Sequence, residues 1–207
     1  MIKNIILDFG DVFINLDKEV IFREMSKWGG NGITQELIAL NESYEVGGID
    51  SEEFIGQLQI AYPKASAIQI KAIWNAMLLD FPDERLEFIE ALAQENRYRL
   101  FLLSNTNALH IPYVEQIMGT QKYLRFKNSF EQFYLSHEIH LRKPNAEIFK
   151  FVLEENGLSA NETFFVDDTL ENTEAAERLG IRTWNLQVGK EDILQLKSKL
   201  RDVLPST

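Results

Sequence analysis

Polar residues with chemical potential follow short apolar runs in this chain of 207 residues. Asp8 comes directly after the first run, Ser104-Asn105 after the second, and Asp167-Asp168 after the third. Lys143-Pro144 stands just before a segment of helical composition. Ligand sites of open α/β sheets lie at the carboxyl ends of the strands. We therefore expect three carboxylates, a hydroxyl, an amide and an ammonium group to converge from four separate segments.

The chemistry of this set is that of phosphoryl transfer. Two carboxylates about 4 Å apart repel each other by roughly 4 kcal/mol, so three acids at one strand edge call for a cation. Hard oxygen ligands without His or Cys favour Mg²⁺. Beside such a cation Asp8 can act as a nucleophile toward a phosphate. Ser104 and Asn105 can donate hydrogen bonds to the phosphoryl oxygens, and Lys143 supplies positive charge for those oxygens and for Asp8.

The elements that must position these residues are predicted from hydrophobic periodicity. Short apolar runs separated by helical segments are typical of buried parallel strands. The predicted strands are Ile5-Ile6-Leu7, Leu100-Phe101-Leu102-Leu103, Phe164-Phe165-Val166 and Thr183-Trp184-Asn185-Leu186. Helices are predicted at 83–94, 145–155 and 172–179, the last ending at Gly180. The pattern predicts an α/β fold with a Rossmann-like, mostly parallel sheet and helices on both faces.

A long helical insertion is predicted between the first strand and the return of α/β alternation. Its apolar residues recur at helical spacing without a convincing strand, and about four helices are expected. The predicted breaks are Gly29-Gly30, Gly47-Gly48 and Tyr62-Pro63. We therefore predict a catalytic core of residues 1–14 and 82–207 and a helical cap of residues 15–81.

Composition limits the classes of partner and location. The formal net charge of −11 disfavours nucleic acid, whose binding requires a basic face. No apolar stretch approaches the roughly 20 residues needed to cross a bilayer, and Asp8 interrupts the N-terminal apolar run, so neither a membrane span nor a signal peptide is predicted. The absence of cysteine excludes disulfides and thiolate chemistry. We expect a cytoplasmic enzyme, and the sequence carries no prediction of oligomeric state.

Four segments in this order resemble the motifs of the haloacid dehalogenase-like hydrolase superfamily, across almost the whole chain. The segments are Leu7-Asp8-Phe9-Gly10-Asp11-Val12, Leu103-Ser104-Asn105-Thr106-Asn107, Leu141-Arg142-Lys143-Pro144, and Phe165-Val166-Asp167-Asp168 through Glu171-Asn172. The nearest likeness is to the branch that contains small sugar-phosphate phosphatases and the N-terminal phosphatase domain of epoxide hydrolases. The position of the predicted cap also matches that superfamily.

The resemblance implies a role for each matched residue. Asp8 would be the nucleophile and a metal ligand, and it would carry an aspartyl-phosphate intermediate. The backbone carbonyl of Gly10 would bind Mg²⁺, and Asp168, together with Asp167, would complete the metal site. Asn172 would brace the loop that carries both acids. The implied activity is hydrolysis of a small phosphorylated metabolite such as a sugar phosphate.

One departure from the family pattern keeps an alternative open. In most phosphatases of this superfamily the second residue after the nucleophile is an aspartate that serves as general acid and base, whereas this chain has Gly10 there and Asp11 one place later. General acid–base groups contribute about 10² to 10⁴ in rate. The alternative is a weak or inactive descendant that only binds a phosphorylated ligand.

Two further alternatives explain fewer of these residues. A dehalogenase also uses an aspartate nucleophile, but its chemistry needs no metal and leaves the pair Asp167-Asp168 unexplained. A receiver domain phosphorylated on aspartate carries its acidic pair before the phosphoacceptor, which is the reverse of the order here. The spacing His137-x-x-His140 lacks further ligands for zinc, so surface or hydrogen-bonding roles are expected for these histidines.

Overall fold

A five-stranded parallel sheet forms the centre of the computed structural model, which describes residues 1–28 and 34–202. The strand order is β3-β2-β1-β4-β5. The strands are β1 (Asn4–Leu7), β2 (Arg99–Ser104), β3 (Gln132–Leu135), β4 (Thr163–Asp167) and β5 (Arg182–Asn185). Leu7 is in register with Leu102 on one side and with Val166 on the other. The carboxyl ends of β1, β2 and β4 therefore lie side by side, as the site prediction requires.

Helices cover both faces of the sheet because its central strands are apolar on both sides. Ile5 and Leu7 pack with one hydrophobic cluster, and Ile6 between them packs with the other. The first face is covered by α5 (Asp83–Gln94), α6 (His110–Met118), α7 (Thr120–Lys127) and α11 (Leu196–Asp202), and the second by α9 (Ala146–Glu155) and α10 (Leu170–Glu177). The short helix α8 (Ser136–Ile139) follows β3. The predicted α/β architecture is confirmed.

Strand β3 was absent from the prediction. It lies at one edge of the sheet, and only its last two residues, Tyr134 and Leu135, are buried. A half-exposed edge strand does not need an uninterrupted apolar run, which was the signal used for the other four strands. The bounds of those four differ from the prediction by at most one residue at each end.

The segment between β1 and α5 is helical in its described part. It contains α1 (Val20–Met25) with a 3-10 turn after it, α2 (Gln35–Glu45), α3 (Ser51–Ala61) and α4 (Ala67–Asn75). Side chains of Thr34, Asp50 and Ser66 cap the N-termini of α2, α3 and α4. The predicted breaks at Gly47-Gly48 and Tyr62-Pro63 are confirmed, whereas Gly29-Gly30 lies outside the described residues.

This helical segment has an apolar cluster of its own. Tyr44 stacks on Phe54 with ring centroids 4.2 Å apart, and Phe54 meets Trp74 edge-on at 4.7 Å. The backbone that enters the segment lies beside the backbone that leaves it. Asn15 N–H donates to Asp80 O and Leu79 N–H donates to Asn15 O, both at 2.9 Å. These contacts agree with an insertion, and the division at 14/15 and 81/82 remains a prediction.

Candidate active site

Lys143 connects the carboxylates at the ends of two neighbouring strands. Its Nζ lies 2.6 Å from Oδ1 of Asp8, which follows β1, and 2.6 Å from Oδ2 of Asp167, the last residue of β4. The lysine side chain is 1% exposed and that of Asp167 is fully buried. A buried ammonium group is stable only when it is paired. When both carboxylates are ionised, the three groups together carry one net negative charge.

Asp167 is held by a dense set of hydrogen bonds. Its Oδ1 accepts from Thr169 N–H at 2.8 Å, and Asn172 Nδ2 lies 3.0 Å from both carboxylate oxygens. Together with Lys143, these donors occupy both oxygens of Asp167. The bracing role predicted for Asn172 therefore corresponds to contacts in the structure, and Asp167 is fixed as the anchor of the lysine.

A second ion pair lies beside the first and involves a residue that the sequence reasoning missed. Lys18 Nζ lies 2.5 Å from Oδ2 of Asp168 and 2.8 Å from Oδ2 of Asp11. The other oxygen of Asp11 accepts from Leu16 N–H at 3.1 Å. Lys18 follows no strand and matches no motif, so nothing local in the sequence separates it from a surface lysine.

Asn105 positions the backbone of Lys143. Its Nδ2 donates to Lys143 O at 2.8 Å, and its Oδ1 accepts from Lys143 N–H at 2.9 Å. This pair of bonds ties the end of β2 to the segment that carries the lysine. The neighbouring Ser104 is buried, and its Oγ makes a long contact of 3.4 Å with Asn105 O. Asn105 borders the open cavity described next, and substrate binding by both residues remains a prediction.

An open cavity of about 440 Å³ lies over these groups. Residues of the core and of α2 both contribute to its wall. The lining residues are Asp8, Gly10, Leu16, Lys18, Glu42, Glu45, Asn105, Arg142, Lys143, Pro144, Asp168, Thr169, Glu171 and Asn172. All four predicted motifs thus meet at one cavity, and Asp168 reaches it whereas Asp167 lies behind it.

The electrostatics of the site reflect burial and charge pairing. Burial raises the pKa of Asp8 well above its ordinary value, and the contact with Lys143 only partly opposes this shift. Burial alone would lower the pKa of Lys143, but the carboxylates of Asp167 and Asp8 outweigh it and raise that pKa. Burial likewise raises the pKa of Asp168, against the opposing effect of Lys18. Additional positive charge at this site would favour the ionised carboxylates.

The donor set suits a hard divalent cation. Asp8, Asp167 and Asp168 each offer a carboxylate oxygen, and these atoms lie within 4.8 Å of one another. Oxygen ligands of this type, with few carboxylates and room for water, are those that Mg²⁺ prefers. Because Asp167 is fully engaged by other donors, Asp8 and Asp168 are the carboxylates that face the cavity and fit this role.

Contacts between α2 and the segment before Lys143 were also missed from the sequence. Arg142 donates to Glu42 at 3.0 Å and to Glu45 at 3.1 Å, and His140 Nδ1 lies 2.8 Å from Val46 O. These partners are about 100 positions apart, so only the fold brings them together. The contact of His140 confirms the hydrogen-bonding role expected for it.

Comparisons with known proteins agree with this site. The profile of the family described as haloacid dehalogenase-like hydrolase matches residues 5–186. The chain is 26% identical over 204 residues to a D-ribitol-5-phosphate phosphatase from Bacteroides thetaiotaomicron. The alignment covers 92% of this chain and 95% of the relative.

Two solved structures of a HAD-family enzyme from Bacteroides thetaiotaomicron are also similar. The first has a TM-score of 0.82 at 36% identity and covers 91% of this chain and 95% of that one. The second, a complex with magnesium and inorganic phosphate, has a TM-score of 0.77 at 35% identity and covers 92% and 97%. A predicted HAD-like hydrolase from Porphyromonas gingivalis has a TM-score of 0.79 at 30% identity and covers 97% and 98%.

These findings bear on the sequence-based predictions. They confirm the predicted superfamily and the enzyme class of phosphoric monoester hydrolases. Separately, no helix in residues 1–28 and 34–202 is both long and apolar enough to cross a bilayer. The match over residues 5–186 places the four motifs within a single family profile, and the chain belongs to the haloacid dehalogenase-like hydrolase family.

Proposed function

We propose that this enzyme is a Mg²⁺-dependent phosphatase that hydrolyses a small phosphorylated metabolite through an aspartyl-phosphate intermediate on Asp8. The observation that carries the proposal is the placement of Asp8 at an open cavity, 2.6 Å from the buried ammonium group of Lys143 and close to Asp168. A nucleophile, a fixed positive charge and a second metal-ligating carboxylate are thereby adjacent.

The residues that would hold the cation are Asp8, Asp168 and the backbone carbonyl of Gly10. All three line the cavity, and the magnesium complex of the similar HAD-family enzyme supports the choice of ion. When bound, Mg²⁺ neutralises charge on the phosphoryl oxygens and orients them. Asp167 contributes indirectly, because its hydrogen bonds fix the lysine.

In the proposed reaction an oxygen of Asp8 attacks phosphorus and the bond from phosphorus to the ester oxygen breaks, so that the alcohol leaves with a proton from solvent. Water then attacks the phosphorus of the aspartyl phosphate and releases inorganic phosphate and the free carboxylate. Lys143 stabilises the negative charge of Asp8 and of the transferring group. Ser104 and Asn105 are proposed to bind the phosphoryl oxygens.

A sugar or alditol phosphate is the proposed substrate. The cavity wall is dominated by charged and polar side chains, and the relative from Bacteroides thetaiotaomicron is named for a phosphorylated alditol. Residues 15–81 are proposed to form the cap over the site, because Glu42 and Glu45 of this segment line the cavity. The cytoplasm remains the proposed location.

Turnover of an aryl phosphate with and without Mg²⁺ tests the function directly. We expect phosphate release that depends on Mg²⁺ and falls by more than about 10³ in Asp8→Asn, because this change removes the nucleophile at nearly constant shape. Asp83→Asn, whose carboxylate is exposed on α5, is the matched control and should be unaffected. Retention of turnover within tenfold in Asp8→Asn would refute the covalent mechanism. Mg²⁺-dependent binding of phosphate without turnover would favour the non-catalytic alternative.

A further inference from the structure

We propose that Glu42 and Glu45 of α2 select the leaving group: they accept hydrogen bonds from the hydroxyls of an uncharged sugar or alditol chain and exclude phosphate esters that carry a second anionic group. The inference rests on the proposed phosphatase function at Asp8. It adds the residues that set specificity and the class of substrate they reject.

Arg142 fixes both glutamates at the cavity wall. Its Nη1 donates to Oε1 of Glu42 at 3.0 Å, and its Nε and Nη2 lie 3.1 Å from Oε2 of Glu45. Asn41 Nδ2 also donates to Oε1 of Glu45 at 3.1 Å. Arg142 directly precedes Lys143, so the glutamates are held at a set position relative to the reacting groups. Such preorganisation lowers the cost of binding a flexible polyol chain.

The glutamates retain capacity to accept hydrogen bonds. An ionised carboxylate offers about four acceptor sites. Within the described part of the chain, Glu42 accepts one hydrogen bond, and its side chain is nearly half exposed at the cavity. Hydroxyl groups are donors, and hydrogen bonds to ionised acceptors are stronger than neutral ones. A chain of hydroxyls therefore matches this wall better than an apolar or acidic group does.

The cations of the cavity are already paired, which argues against a second anion. Among the lining residues that the structure describes there are five acidic side chains and three basic ones. Each basic group has carboxylate partners: Lys18 contacts Asp168, Arg142 contacts both glutamates, and Lys143 contacts Asp8. A carboxylate on the substrate would thus meet acids without gaining a free cation.

The test compares two substrates of equal length that differ at one carbon: a four-carbon alditol phosphate and the corresponding aldonate phosphate, whose terminal CH₂OH is a carboxylate. We expect the wild type to prefer the alditol phosphate by at least about 100-fold in kcat/KM. In Glu42→Gln/Glu45→Gln the preference should fall at least tenfold, chiefly through KM. The loss of kcat/KM should be larger for the alditol phosphate than for an aryl phosphate, which has no aliphatic hydroxyls for Glu42 and Glu45 to bind.

Glu52→Gln/Glu53→Gln, an equal change of charge at two exposed positions of α3 outside the cavity lining, should keep the full preference. Should the double variant not fold, Glu42→Gln alone provides the same comparison, since that side chain is half exposed. Equal kcat/KM for the two substrates in the wild type, or an unchanged preference in the variants, would overturn the assignment. If the wild type failed to hydrolyse even the aryl phosphate, the phosphatase function itself would be contradicted. This outcome is distinct from a loss of the predicted substrate preference.

Discussion

The Nζ atom of Lys143 lies 2.6 Å from Oδ1 of Asp8, although the two residues are 135 positions apart in the chain. The same ammonium group contacts Asp167 at 2.6 Å, so one lysine is the shared counter-ion of acids at the ends of two adjacent strands. Removal of one member of a buried ion pair leaves an uncompensated charge, which is more destabilising than loss of an exposed pair. The lysine is therefore expected to support both the fold and the reaction.

Lys143→Met should lower the free energy of unfolding of the metal-free protein by about 3–5 kcal/mol, because Asp8 and Asp167 lose their shared counter-ion. Turnover should fall by more than about 10³, since the fixed positive charge at the nucleophile is gone. Denaturant unfolding and aryl phosphate hydrolysis measure the two effects. Lys3→Met, which breaks an exposed ion pair with Glu162, is the control and should cost less than about 1 kcal/mol. Equal destabilisation by both changes would show that the buried lysine contributes no more to the free energy of unfolding than an exposed lysine does.

Asp168→Asn should separate the metal site from the lysine. We expect a loss of Mg²⁺ affinity of more than about tenfold, because one of the two carboxylates proposed to bind the ion loses its charge. Lys143→Met should leave Mg²⁺ affinity equal or higher, since it removes a neighbouring positive charge. Isothermal titration of each variant with Mg²⁺ alone gives the comparison without reference to turnover. Parallel losses of affinity in the two variants would overturn this division of roles.

Much of the sheet and of the candidate site could be predicted, because both depend on local signals. Buried central strands carry continuous apolar runs, and polar residues that follow them must meet at the carboxyl edge of a parallel sheet. Asp8 and Asp167 belong to such strand ends and were therefore expected to meet, whereas Lys143 was expected there because it stands just before a predicted helix. Strand β3 lacks the apolar signal, because its edge position allows exposed residues at its start.

The contacts that shape the cavity could not be predicted from the sequence. Arg142 and Glu45 are 97 positions apart, and Lys18 and Asp168 are 150 apart. Neither pair has a periodic or motif signal, because a charged side chain on a helix or in a loop is ordinarily solvated. Such pairs depend on how the helical segment between β1 and α5 packs against the sheet, which is a property of the tertiary structure.

Gly10 offers a direct test of the absent general acid. A Cβ at this position would lie 2.8 Å from Cδ1 of Leu16, the flexible end of a side chain, so an aspartate can be introduced if Leu16 is shortened. Gly10→Asp/Leu16→Ala should raise the turnover of an alkyl phosphate at least tenfold over Leu16→Ala alone, because general acids typically contribute about 10² to 10⁴. Gly10→Asn/Leu16→Ala has the same shape without the acid and should show no gain. If the aspartate and asparagine variants turned over equally, proton donation at this position would not limit the enzyme.

His110 predicts how stability depends on pH. Its imidazole is buried at the start of α6, where Nδ1 lies 3.2 Å from Asn107 Nδ2 and Nε2 lies 3.2 Å from Trp74 O. These partners fit a neutral ring that accepts at Nδ1 and donates at Nε2 to the carbonyl of α4. Burial lowers the pKa of His110 to about 4, against the opposing bond to Trp74 O and with a smaller lowering from His137.

The unfolded chain binds a proton at His110 below pH 6.5, whereas the folded chain does so only below about pH 4, so acid favours unfolding in this window. The contribution of His110 to stability is thus complete above pH 6.5 and is lost as the pH falls toward 4, by on the order of 2–3 kcal/mol. Denaturant unfolding of the wild type and of His110→Gln from pH 7.5 to 4 measures it. The variant, which has no titrating group at this position, should show a shallower loss of stability. Parallel curves for the two proteins across this range would mean that protonation of His110 does not cause the loss of stability in acid.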